Sequence, residues 1–221
     1  MSGIAKKTID ADGIHTVAQV LAKFNELNTL LPSVGLAQWL PFNQAYAIVT
    51  QTIDTAAQQG YFENPDFVAQ FSVCFASYYF RAIRNQIGDR ADGVEAWQTL
   101  SKPRSNHPAT AVMMGANAHI NHDLPLTLAE MLPESSTQGL LKDIRKVDRL
   151  LVRSGPLIVI QIDGGKLGSL CYRPAIYVIL LWRVAAWRNY KRITRGKPGK
   201  QQARSTKIAN RLLWLDRLFV G

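Results

Sequence analysis

The sequence predicts an all-α fold: one compact domain of about seven or eight helices with a basic C-terminal helical extension. Three observations lead there. Apolar residues recur every three to four positions along most of the chain. The composition, 47% hydrophobic against 19% charged, can fill a core and argues against disorder. Only Leu157–Ile162 has the β-branched character of a strand, and no second strand is available to pair with it.

Taken in order, His15 to Leu27 carries Val17, Val20, Leu21, Phe24 and Leu27 on one helical face. Phe42 to Gln59 repeats the pattern through Tyr46, Val49, Ile53 and Ala56, and Gly60 stops it. Asn64 then reads as an N-cap and Pro65 as a first helical residue. They open an aromatic helix through Phe67, Phe71, Phe75, Tyr78, Tyr79 and Ile83 that ends near Gly88. Val94–Leu100 reads as a short helix, followed by the polar loop Ser101–Pro108. A helix over Ala109–Leu132 comes next, with Pro125 inside or just after it, and another over Thr137–Val152. Residues 155–168, rich in glycine, read as an irregular or helical connection. Tyr172–Arg195 is a strong helix, Gly196-Lys-Pro-Gly199 breaks it, and Ala203–Phe219 closes the chain. Residues 1–195 are thus expected to form the core domain, with 196–221 a basic helix packed on it or appended to it.

Charge is unevenly distributed. Residues 1–140 hold 8 Lys+Arg and 12 Asp+Glu, a net −4; residues 141–221 hold 18 and 4, a net +14. The C-terminal part therefore suits an anionic partner, or is simply a solvated basic face. Arg188, Arg192 and Arg195 form one stripe of it, joined by Lys191, Lys197, Lys200, Arg204 and Lys207. No nucleic-acid-binding motif accompanies the charge. The uninterrupted apolar run Pro174–Trp182 is too short to span a bilayer, although the last helices could lie on its surface. Two cysteines, Cys74 and Cys171, make no disulfide framework, and the N-terminus lacks a signal peptide's apolar core. A cytoplasmic location is the expectation.

The chemistry concentrates in Gly115-Ala-Asn-Ala-His-Ile-Asn-His-Asp-Leu-Pro-Leu126; three of the chain's four histidines lie between His107 and His122. On an ideal helix His119, His122 and Asp123 share one arc, with Asn117 and Asn121 on the opposite side. The His/Asp set could share one divalent metal ion. Equally, Asp123 could fix the tautomer of an imidazole acting as base, or merely cap the turn before Pro125. Asn117 and Asn121 would be buried amides, tying the helix to its neighbours or contacting a ligand. Arg183 lies on an otherwise apolar face with Ile176, Leu180, Trp187 and Tyr190. A buried guanidinium needs a counter-charge, either a carboxylate such as Asp54 or Asp123, or an acidic group of a ligand. Nucleophile elbows, P-loops, dinucleotide fingerprints and H-E-x-x-H are missing.

The order of several segments resembles a domain of unknown function found in small, mainly bacterial proteins. They are Phe42-Asn-Gln-Ala-Tyr46, Tyr61-Phe62-Glu63-Asn64-Pro65, Phe75-Ala76 with Tyr79, Ala96-Trp97, Asn117-Ala-His-Ile-Asn121-x-Asp123-Leu-Pro125, and Ala186-Trp187-Arg188-Asn189. The resemblance covers about residues 15–195 and implies one all-helical domain with His119, Asn121 and Asp123 as its functional positions. It brings no activity with it. A basic residue is common in that family where this chain has His122, which implies that His119 and Asp123 are the firmer pair.

Two functions are compatible with these residues. One is an enzyme acting on a largely apolar or lipid-like small molecule, with His119 and Asp123 as acid–base or metal site. Asn117, Asn121 and Arg183 would then bind the ligand. The other is a non-catalytic module that binds anionic membrane surfaces or other polyanions through the basic C-terminal helices.

Overall fold

The computed structural model describes residues 13–88, 95–101, 107–132, 138–163 and 168–197, with 200, 204, 207 and 208. Every regular element among them is helical. In chain order these are α1 (Val17–Ser33), a 3-10 turn (Ala37–Trp39), α2 (Leu40–Gln58), α3 (Pro65–Ile87) and α4 (Glu95–Ser101). They are followed by α5 (Pro108–Ala118), a π-helical turn (His119–Asp123), α6 (Leu124–Met131), α7 (Gln138–Asp163) and α8 (Gly168–Ile193). The expected helix over Ala203–Phe219, and with it most of the basic extension, lies outside the described residues.

Local chemistry sets the helix starts. Thr16 opens α1 with a capping box: its hydroxyl accepts from Gln19 N–H, and the Gln19 side chain accepts from Thr16 N–H. His107 opens α5, its Nδ1 accepting the backbone N–H of Ala109 at 3.2 Å while Pro108 occupies the first turn. That gives one of the three clustered histidines a structural role. Asn64 is the N-cap of α3 and Pro65 its first residue, as expected, but the Asn64 side chain accepts nothing from the first turn and turns instead to a distant carboxylate. Asp143 of α7 accepts the backbone N–H groups of Glu63 and Asn64 at 2.9 and 2.8 Å, and the Asn64 side-chain amide as well. The two amides that lead into the helix are met by a fully buried side chain about eighty positions away.

The glycine-flanked stretch resolves toward helix. α7 continues through Pro156 to Asp163, so Leu157–Ile162 is helical, and residues 164–167 lie outside the description. A strand there would have had no partner for its hydrogen bonds, whereas a helix satisfies them internally.

The core is aromatic. Trp39, Phe24, Tyr79 and Phe80 are essentially inaccessible, and Trp39 stacks on Trp97 with ring centroids 5.2 Å apart. Burying a side chain of this size contributes roughly 1.5–3 kcal/mol. Asn43 ties three helices together within it. Its amide donates to Phe24 O and Asn28 Oδ1, and its Oδ1 accepts from Tyr79. Against this core α5, the π turn and α6 form one continuous helix whose central turn touches α3 and α8. Gly115 is what lets α5 approach α2. A Cβ at that position would lie 2.3 Å from the Phe42 ring. No described helix is long and apolar enough to cross a membrane.

Candidate active site: a buried His–Asp–His cluster beside an apolar cavity

Pro125 explains the unusual turn that carries the site. Proline lacks an N–H and its ring collides with the carbonyl four residues earlier, here that of Asn121. The helix yields by widening just upstream: Leu124 N–H bonds to His119 O, five residues back rather than four. The inserted residue rotates the flanking side chains away from their ideal-helix positions. The ionisable groups still meet, as the sequence led one to expect, but no side of the segment faces solvent: every residue from Met114 to Pro125 is buried.

The turn gathers His119, His122 and Asp123. Asp123, 1% exposed, receives three donors. His119 Nδ1 lies 2.9 Å from its Oδ2 and His122 Nδ1 2.7 Å from its Oδ1. The Trp97 indole N–H reaches the same carboxylate at 3.2 Å. Burial pushes the Asp123 carboxyl up, and donation from the two imidazoles outweighs it, so the group sits below the usual carboxylate range and is ionised. Asp123 does not cap α6. Its side chain points to the imidazoles, and the Thr127 hydroxyl donates to its backbone carbonyl.

His119 is enclosed by rings. Phe75 stacks on it with centroids 3.6 Å apart, and Tyr46 lies 4.5 Å away. Burial lowers the imidazole's basicity more than Asp123 restores it, so His119 is neutral near pH 7. A neutral imidazole beside a carboxylate carries its proton on Nδ1, which leaves Nε2 with a lone pair. That Nε2 is buried and has no hydrogen-bond partner.

His119 is also part of the wall of an apolar cavity of about 120 Å³ between α2, α3, α5, α7 and α8. Phe42, Tyr46, Phe71, Phe75, Ile120 and Leu151 give it its character. Thr50, Ser72, His119 and Arg183 supply the polar groups. Arg183 pairs through Nε with Asp148 of α7, not with Asp54 or Asp123 as the sequence suggested. Asn117 and Asn121 are fully buried and joined by a 3.0 Å bond from Asn121 Nδ2 to Asn117 Oδ1. Neither lines this cavity. The structure thus brings His119, His122 and Asp123 together, sets Arg183 on the same cavity wall as His119, and leaves the two amides behind the site.

Both Asp123 oxygens are occupied by N–H donors. Among the described residues no group of three or more His, Cys, Asp or Glu side chains is arranged to hold a metal ion. Sequence reasoning missed the Trp97 donor, the Phe75 stack and the Asp148 counter-ion, all of which come from elements distant in the chain.

No curated protein and no solved structure matches the chain. A family model does match, over residues 17–218, and the chain therefore belongs to DUF5995, a family of unknown function.

Proposed function

We propose that the protein is an enzyme that moves a proton on a largely apolar or lipid-like small molecule held in the cavity, with His119 as its base. The observation that carries this reading is the unpartnered Nε2 of a neutral, buried histidine whose other nitrogen is held by a carboxylate. A stranded buried acceptor costs roughly 1–3 kcal/mol, so its persistence suits a group waiting for a donor. Asp123 orients the ring and stabilises the imidazolium formed when Nε2 takes a proton. The low local polarity that keeps His119 neutral also keeps it unprotonated and ready to accept. His122 and Trp97 hold Asp123 in place. Arg183, at the same cavity wall, offers a positive charge to a polar or acidic end of the ligand once Asp148 yields or shares it.

The test is a screen of apolar carboxylic acids, esters and other lipid-like compounds for binding and turnover by the purified, untagged chain. His119→Ala and Asp123→Asn should each remove turnover of any hit by at least about a hundredfold, the usual scale of general-base loss. His122→Ala should do less. Full turnover by a folded His119→Ala variant would end the proposal. Elemental analysis finding one divalent ion per chain, lost in that variant, would replace the acid–base role with a metal-ligand one for His119, Asp123 and His122.

A further inference from the structure

All six large hydrophobic side chains most exposed among the described residues lie on two consecutive helices that pack together, α7 and α8. They are Val152, Leu157 and Ile160 on the first, and Tyr177, Leu181 and Val184 on the second. The α8 set recurs at i, i+4 and i+7, one stripe along a helix whose other side is buried through Ile176, Ile179, Trp182 and Ala186. Exposed Arg173 precedes the stripe on the same face, and exposed Arg188, Lys191 and Arg195 follow it. Helix α8 contains no Asp or Glu anywhere along its length. On α7 the exposed residues Lys142, Arg145, Arg149 and Arg153 lead into the apolar group in the same way.

We propose that this face of α7 and α8 docks on an anionic lipid bilayer. Charge complementarity chooses the occupant. A second copy of the chain would bring the basic ends of two acid-free stripes, Arg173 on one side and Arg188, Lys191 and Arg195 on the other, against each other, an arrangement that costs energy. A bilayer with acidic headgroups meets both requirements at once. The leucine, valine and tyrosine side chains enter the headgroup–acyl boundary while the flanking arginines and lysines reach phosphates. A nucleic acid would satisfy the charges and leave Leu181 and Val184 in water. The inference is independent of the proton-transfer reading, since it rests on the outer face of the helices.

Co-sedimentation of the full chain with vesicles tests it. Vesicles of phosphatidylcholine mixed with phosphatidylglycerol should bind at least about tenfold more tightly than phosphatidylcholine alone. Added salt should weaken that binding. Leu181→Glu, on a side chain 67% exposed, should leave thermal stability unchanged and lower vesicle affinity about tenfold. Arg188→Glu should also weaken binding and flatten its salt dependence. Failure to bind mixed vesicles, or equal binding by Leu181→Glu, would overturn the proposal. So would a stable dimer that Leu181→Glu dissociates. Tight binding to duplex DNA that Leu181→Glu does not affect, without vesicle binding, would reassign the face to a polyanion.

Discussion

His119 Nδ1 and Asp123 Oδ2 lie 2.9 Å apart inside a helix, on a turn widened by one residue. A carboxylate four positions along an α-helix normally meets solvent at the helix surface; here both partners are buried. The charge is tolerated because His122 and Trp97 also donate to it.

The first consequence is a pH dependence with a definite sign. His119 is depressed below its ordinary 6.5 by burial, so the unfolded chain binds its proton at a higher pH than the folded one. Its contribution to stability is complete above that value and is lost as pH falls through the lower folded-state pKa. Asp123, also depressed, loses its share at still lower pH, below the ordinary carboxylate value of 3.8. The thermal midpoint should therefore drop as pH goes from 7 toward 5, with a second decline in strong acid. Nitrogen-15 NMR should find His119 protonated on Nδ1 alone at pH 7. A midpoint that rises on acidification across the first window would reverse the assigned direction.

Arg183 and Asp148 give a pair of opposite expectations. Their ion pair is partly buried, with Arg183 at the cavity wall. Asp148→Asn leaves the guanidinium without its counter-charge and should lower stability, by about 3–5 kcal/mol if the pair behaves as fully buried and less given its partial exposure. The same change should tighten binding of long-chain carboxylates, which supply the missing charge. Arg183→Met, close in volume, should weaken such binding. If both variants bind a fluorescent fatty acid as the parent chain does, Arg183 serves only the fold.

What the sequence made legible divides along chain distance. Helical periodicity located α2, α3 and α8 within a few residues, and the start of α1, because each buries a continuous face such as Val20, Phe24 and Leu27; α1 itself runs on past the expected Leu27 to Ser33. It also identified the segment that carries His119 and Asp123. It did not reveal the π turn, since a 100° projection assumes the regular hydrogen bonding that Pro125 forbids. It did not reveal Trp97, Asp148 or Asp143 either, whose partners lie 26, 35 and about 80 positions away. Such pairings depend on how helices pack, which no local pattern encodes.

Gly115→Ala tests the close approach of α5 to α2. By intrinsic propensity alone the change would stabilise a helix by up to about 1 kcal/mol. The new methyl would instead meet Phe42 Cγ at 2.3 Å and Phe42 Cβ at 2.8 Å, inside contact distance. Phe42 borders the cavity and its ring is 6.0 Å from that of His119. Overpacking of about 1–3 kcal/mol should win, with weaker binding of any cavity ligand. Urea unfolding reads the sign directly, and a stabilised variant would mean that α2 shifts freely.

Asp143→Ala examines the long-range cap. Asp143 is fully buried and accepts two backbone amides and a side-chain amide at the start of α3, and its carboxyl is held below the ordinary value. Burial acts against ionisation there, and the donors from Glu63 and Asn64 outweigh it. Removing the carboxylate takes a charged acceptor from those part-buried donors, and a hydrogen bond to a charged group contributes about 1.5–3 kcal/mol. Stability should fall by at least one such unit at pH 7. Asp143→Asn retains one oxygen as acceptor and should recover part of the loss. In acid the parent chain should converge on the Asp143→Asn variant, because protonation abolishes the charge that distinguishes them. Hydrogen exchange provides the local readout: the amides of Glu63 and Asn64 at the entry to α3 should exchange faster in Asp143→Ala, while those around Tyr79 and Phe80, deep in the core, keep their protection. Uniformly faster exchange through α3 would show that Asp143 stabilises the whole helix packing rather than its entry.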